Sequence, residues 1–238
     1  MLKVEAVLTP KLYDLYANDD SIVVIIDVLR ASSAMITAFE HGVEKMIPVA
    51  SVEEALAYKE KGFLVGAERD GEQVEGFDFG NSPYSYMSED IKGKTVVLTT
   101  TNGTKAIEIS KNAYKVVVGA FINLDALSDW LISQERDVIL LCAGWKDRFN
   151  LEDTLFAGAV IDRLSQHENY TELSDASLAA KYLYHTAKDD TSKFLKNSSH
   201  RNRLKRLNLK EDIRYSLTLN LSTVIPVLED GVLVKMSK

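Results

Sequence analysis

The stretch IVVIIDVLRASSAMITAFEHG, residues 22–42, decides how the chain is read. Five apolar residues, Ile22 to Ile26, run without interruption into Asp27. Arg30, Ser32 and Ser33 follow, and then an apolar helical pattern. A strand that is apolar at every position, instead of alternating, belongs in a sheet covered on both faces. In open α/β sheets, ligands bind beyond the carboxyl ends of the strands. Asp27 therefore marks a candidate site. The helix expected to start near Ser32 offers free N–H groups and a positive dipole end to an anion. Arg30 adds a two-pronged donor suited to phosphate, sulfonate or carboxylate. Capping accounts well for one polar residue at a helix start and poorly for all four.

Working outward, the same alternation recurs. Strands are expected over 4–8, 22–28, 45–49, 63–66, 95–99, 115–118 and 137–141, and helices over 32–41, 52–61, 104–111, 123–134 and 151–167. Strand and helix in turn give an α/β fold with a buried, largely parallel or mixed sheet. The last third differs. Residues 174–219 read as mostly helical, and TVIPVLEDGVLVK reads as a β-hairpin with Asp230-Gly231 in its turn. Residues 69–83, with three glycines and a proline, form the longest stretch without periodicity. A loop of that length in a compact domain is usually functional.

The 238 residues are 46% hydrophobic and 26% charged, which suits one large globular domain or two small ones. A net charge of -7 argues against a general nucleic-acid binder. The single cysteine, Cys142, excludes an intrachain disulfide and points to the cytoplasm. MLKVEAVLTP lacks the apolar core of a signal peptide, and no apolar run approaches the ~18 residues of a membrane span.

Three further segments carry candidate chemistry. In VVLTTTNGTKAI an apolar strand again ends in polar residues, Thr99 to Thr104. Hydroxyls, helix N–H groups and Gly103 can cradle an oxyanion there, although a plain Asn-Gly turn explains much of the pattern. GAERDGEQVEGFDFGNSP supplies Glu68, Arg69, Asp78 and Asn81. Carboxylates among oxygen-rich neighbours, with no His or Cys cluster, favour Mg²⁺ over zinc or copper, while Glu72 and Glu75 read as solvated. In FNLEDTLFAG, Asn150 and Asp153 resemble a capping box and Glu152 complements the helix dipole. The basic run HRNRLKRLNLK, residues 200–210, reads as the solvated side of an amphipathic helix. Two phosphatase templates are also testable. Leu29 stands where the haloacid-dehalogenase pattern needs a second Asp. CAGWKDR gives Cys142 and Arg148 the Cys-x5-Arg spacing, but Leu141 and Phe149 replace the flanking His and hydroxyl, and a lone Cys ending DVILLC reads as core.

DVLRASS, GAERDG with GFDFGNSP, TTTNGTKAI, and CAG followed by LED and AG together resemble the 2-phosphosulfolactate phosphatase family, in order and over nearly the whole chain. A weaker C-terminal echo lies at Ser199-His200, Leu204, Asp212-Ile213 and the Pro226 hairpin. Ala67 and Arg201 stand where that family's pattern has Gly. The resemblance implies an unusual multi-layer α/β arrangement and Mg²⁺-dependent hydrolysis of 2-phospho-3-sulfolactate to 3-sulfolactate and phosphate, a step of coenzyme M biosynthesis in methanogens. On that basis Asp27 and Glu68 are expected at the metal, with Asp78 as third ligand. Arg30, Ser32 and Ser33 are expected to hold one anionic group, and Thr101, Asn102, Gly103 and Thr104 another. Arg69 and Asn81 would close over the substrate. The catalytic set is then Asp27, Arg30 and Glu68, with attack by water preferred to an aspartyl phosphoenzyme at Asp27. The expected partner is a small anionic phosphorylated substrate, with no nucleic acid and no membrane; a homodimer is left open. One domain over 1–238 is expected, or two lobes with the site in their cleft. The rival class is an anion-binding protein without catalysis, which would have no need of Asp27 and Glu68.

Overall fold

The computed structural model describes residues 1–237. Its strands are β1 (Lys3–Val7), β2 (Ile22–Ile26), β3 (Lys45–Pro48), β4 (Leu64–Arg69), β5 (Glu72–Gln73), β6 (Thr95–Thr99), β7 (Lys115–Gly119), β8 (Val138–Cys142), β9 (Glu172–Leu173), β10 (Pro226–Glu229) and β11 (Val232–Lys235). The helices are α1 (Ala31–Glu40), α2 (Val52–Lys59), α3 (Gly103–Ser110), α4 (Leu124–Gln134), α5 (Leu151–Leu164), α6 (Asp175–Ala187), α7 (Thr191–Phe194), α8 (Ser199–Arg206) and α9 (Lys210–Ser216). Every expected strand and helix is present within a few residues. β4 runs to Arg69, so Glu68 and Arg69 are strand residues. The 69–83 segment is partly ordered: β5 pairs with the end of β4, and Phe79 bridges to Gly66.

All strands join one mixed sheet in the order β5-β4-β6-β3-β11-β10-β7-β2-β8-β1-β9. The C-terminal hairpin is not at an edge; it is inserted between β3 and β7. Its turn residues Asp230 and Gly231 both have positive φ, the geometry of a tight primed hairpin. The steps from β3 to β11, to β10 and to β7 are each antiparallel. Three reversals leave β3, β6 and β4 running against β7, β2, β8 and β1. The halves nevertheless interlock, because α3, which follows β6, packs on β2 of the other half.

β2 shows why its sequence is apolar throughout. Ile22, Val24 and Ile26 face a core shared with α4 and α5, while Val23 and Ile25 face a second core shared with α1 and α3. Helix α5 is buried nearly all round, between the sheet and α6. Gly158 permits this: a Cβ there would lie 2.1 Å from the Ala180 carbonyl oxygen of α6. No described helix is long and apolar enough to cross a membrane.

Candidate active site

Asp27 ends β2 and is only 7% exposed. The turn after it is built by the two serines. Ser32 Oγ accepts from the Asp27 N–H at 2.9 Å and donates to the Ile25 carbonyl at 3.2 Å. Ser33 Oγ donates to the Val28 carbonyl at 2.9 Å. Both hydroxyl protons are thus donated to backbone carbonyls, and the two serines, expected at the substrate, shape the turn that presents Asp27.

Asp153, in the first turn of α5, is the second carboxylate of this centre, and it is fully buried. It accepts the Val28 N–H at 2.9 Å, the Gly144 N–H at 3.0 Å and Asn150 Nδ2 at 2.9 Å. The turns after β2 and β8 are therefore tied together through one side chain. Burial pushes both carboxyls above the ordinary Asp value. The next cause is the charge of Asp153 for Asp27, and that of Glu152 for Asp153. Three N–H donors partly offset the burial of Asp153 by favouring its ionised form.

The other half of the sheet reaches the same place through α3. An added Cβ on Gly103 would lie 2.9 Å from Ala31 Cβ and 3.2 Å from Asp27 Oδ2, so the absent side chain lets the start of α3 abut the start of α1. The close approach expected between Gly103 and a ligand is an approach to Asp27. Thr104 and Thr100 cap each other: the Thr104 N–H donates to Thr100 Oγ1 at 3.2 Å, and Thr104 Oγ1 accepts the Thr100 N–H at 3.3 Å. Asn102 Oδ1 accepts the Lys146 N–H at 3.1 Å across the halves. Glu68, 3% exposed, accepts from the Gly71 N–H, the Thr101 N–H and Thr101 Oγ1. Its charge acts on Asp27, but both of its oxygens are engaged in clamping two loops. Arg69 donates to the Glu68 carbonyl and to Thr99 Oγ1 and stands with Thr101 and Thr104 in a cavity of about 320 Å³.

Arg30 differs most from expectation. It is 3% exposed and ion-paired with Asp212 of α9, and its Nη2 donates to the Gly71 carbonyl. A guanidinium already neutralised by a buried carboxylate is a poor anion receptor. Breaking such a pair costs about 3–5 kcal/mol, so Arg30 serves the fold first. With Asn81 it lines a separate cavity of about 350 Å³, which Asp27 does not line. Asp78, expected as the third metal ligand, is not brought together with Glu68. It bonds Lys59 Nζ at 2.8 Å and the Val65 N–H at 2.9 Å, at the opposite end of β4 from Glu68.

The C-terminal helices supply what was not anticipated. His200, on α8, bonds through Nδ1 to Glu152 Oε1, and Glu152 is fully buried beside Asp153. His200 Nε2 makes no hydrogen bond among the described residues, and the His200 charge acts on Asp27. The His200 ring lies 5.4 Å from the Trp145 ring, and the guanidinium of Arg203 sits 3.5 Å from that indole's centroid. The run that reads as a solvated face therefore turns His200 and Arg203, one helical turn apart, toward the loop after β8. The neighbouring acids betray this in the sequence. LEDTLFAGAVI is apolar on every side of its helix, so Glu152 and Asp153 have no solvated face to occupy and must be buried with partners.

Cys142 is fully buried in the core, and burial pushes its thiol well up. A thiolate nucleophile needs the opposite shift. Cys142→Ser is expected to leave phosphate release within about threefold of the wild type, with a modest loss of thermal stability from the buried hydroxyl. A fall of several orders of magnitude in the folded variant would restore the Cys-x5-Arg reading.

The family model for 2-phosphosulpholactate phosphatase matches residues 7–231. A protein of Thermotoga petrophila described as a probable 2-phosphosulfolactate phosphatase is 41% identical over 211 residues, 89% of this chain and 90% of its own length. One of Clostridium perfringens with the same description is 36% identical over 236 residues, 97% of this chain and 95% of its own. These matches span both halves of the sheet and α8, and so take in every residue gathered around Asp27. The chain belongs to the 2-phosphosulfolactate phosphatase family, and its activity is that of a phosphoric monoester hydrolase.

Proposed function

We propose that the chain hydrolyses 2-phospho-3-sulfolactate, or a closely similar 2-hydroxy-acid phosphate, with Mg²⁺ held at Asp27 and Asp153. The observation that carries this reading is the pair of buried carboxylates where β2 ends and α5 begins, each destabilised by burial and by a like charge. A cation relieves that cost. Among the described residues, no three of the His, Cys, Asp and Glu side chains converge as a metal cage. That fits Mg²⁺, which keeps several waters and takes one or two carboxylates plus phosphate oxygens. When bound, the ion neutralises charge on the phosphoryl oxygens.

The chain's own residues do the rest. The starts of α1 and α3, brought together by Gly103, favour the phosphoryl dianion. Water attacks phosphorus and the bond to the C2 oxygen breaks, giving inorganic phosphate and an alkoxide. His200 Nε2 delivers the proton that converts the alkoxide to the alcohol, while Glu152 accepts from Nδ1–H and fixes the ring.

A phosphate-release screen over small phosphorylated hydroxy acids, with Mg²⁺ and with a chelator, tests this reading. Release that needs the metal and is fastest with 2-phospho-3-sulfolactate is expected. No release from any substrate would leave the non-catalytic anion-binding reading in its place.

A further inference from the structure

We infer that a cavity between α7, α8 and α9, on the side of α8 away from His200, is a receptor for a short polyphosphate chain, inorganic or carried by a nucleotide. The helical period places Arg201, Asn202 and Lys205 on a face of α8 turned away from His200 and Arg203. There they line a cavity of about 630 Å³, together with Lys193 of α7, Lys196 just after it and Lys210 at the start of α9. None of the residues gathered around Asp27 lines it.

The charge on this wall is uncompensated. Among the described residues, Lys193, Lys196, Arg201, Lys205 and Lys210 form no ion pair. Glu211 is taken by Arg214, which leaves Asp190 as the one acid of the lining against those five cations. Asp190 is itself engaged, because it caps α7 by accepting the Lys193 backbone N–H at 2.8 Å. The whole chain carries -7, so the cluster is not one part of a generally basic surface. Like charges around one hollow repel each other, and a ligand with several linked anions relieves that repulsion in one event. Arg201 is set in place before any ligand arrives. Its guanidinium donates to the Ser192 carbonyl and, at 3.2 Å, to Ser192 Oγ, which ties α8 to α7. The four lysines are exposed, and their long stems can follow a flexible chain. Among the described residues, Ile213 is the only apolar side chain in the lining, and no aromatic ring reaches it. A base has nothing to stack on there, so recognition falls on the phosphates. The hollow suits a short chain better than a duplex, whose length would meet the acidic remainder of the surface.

Calorimetric titration of the full chain with inorganic triphosphate, at about 0.15 M salt and with a chelator present, tests the assignment. The chelator withholds divalent cations, so binding is read apart from any hydrolysis at Asp27. One triphosphate per chain is expected, bound at least about tenfold more tightly than orthophosphate. Excess 3-sulfolactate should not displace it. ATP bound as tightly as triphosphate, or more so, points to a nucleotide as the source of the chain; ATP bound more weakly points to the inorganic chain. Either result supports the site. Lys205→Gln with Lys210→Gln should weaken triphosphate binding by about tenfold, the combined effect of two exposed ion pairs. Both side chains are exposed and unpaired, so the melting temperature should hold. Lys11→Gln with Lys94→Gln removes the same charge from two exposed lysines elsewhere and should leave the affinity within about twofold. No saturable binding, orthophosphate bound as tightly as triphosphate, displacement by 3-sulfolactate, equal losses in the two double variants, or tighter binding of a DNA duplex overturns the assignment.

Discussion

Asp27→Asn is expected to lower Mg²⁺-dependent phosphate release by on the order of 10³-fold or more, equivalent to about 4 kcal/mol of transition-state stabilisation. The fold should survive, because the turn is built on the Asp27 backbone and the Ser32 hydroxyl, and the one backbone N–H that the Asp27 carboxylate accepts, that of Ala31, can still be accepted by the Asn amide oxygen. The stability change has a predictable sign. Burial and the Asp153 charge raise the folded-state pKa of Asp27 above its ordinary 3.8. Between the ordinary and the raised value, the unfolded chain has released a proton that the folded chain still holds. Stability without metal therefore declines as pH rises above about 4, and continues to decline up to the raised pKa. Asn carries no such burden, so metal-free Asp27→Asn should melt at or above the wild-type temperature at neutral pH. Added Mg²⁺ should raise the wild-type melting temperature, more strongly at higher pH, and should leave the variant nearly unmoved. An unchanged Mg²⁺ response in Asp27→Asn would remove Asp27 from the metal site. Asp153→Asn is a poorer probe. Its carboxylate accepts three N–H donors, and an amide NH₂ would be turned against at least one of them.

The first half of this centre is legible because it is local. An apolar strand ending in Asp27 needs no knowledge of the rest of the chain, and Glu68 and Gly103 are found at similar strand ends on the same logic. What local reading cannot supply is the direction in which a polar side chain is consumed. Ser32, Ser33 and Thr104 have the composition of an anion cradle, but each hydroxyl satisfies a backbone group within seven residues of itself. The C-terminal contribution depends on long-range placement. The hairpin enters the middle of the sheet, between β3 and β7. The helices ahead of it then cover the carboxyl end of β8, and no spacing rule connects residue 200 to residue 152. The counter-ion of Arg30 is hidden from local reading for the same reason, since Asp212 is 182 positions away. Asp78, the expected third ligand, is placed by a simpler geometric fact: its loop folds back to Val65, at the start of β4.

The remaining test concerns the proton. Among the described residues, His200 bonds Glu152 through Nδ1 and leaves Nε2 without a partner, and Glu152 is wholly buried. If Nε2 protonates the departing alkoxide, His200→Gln should lower kcat on 2-phospho-3-sulfolactate by about 10²–10⁴-fold, the usual range for a positioned general acid, with KM little changed. An aryl phosphate releases a phenolate that needs no protonation, so the same variant should lose little on p-nitrophenyl phosphate. Glu152→Gln keeps the shape of the dyad but weakens its hold on the ring. It should show the same substrate dependence with a smaller loss, about 10–10²-fold. A role confined to packing, through the contact of His200 with Trp145, would lower the rates on alkyl and aryl phosphates equally and would shift the melting temperature in step. Equal losses on the two substrates would therefore take the proton from His200 and leave the α8 wall with a binding role alone.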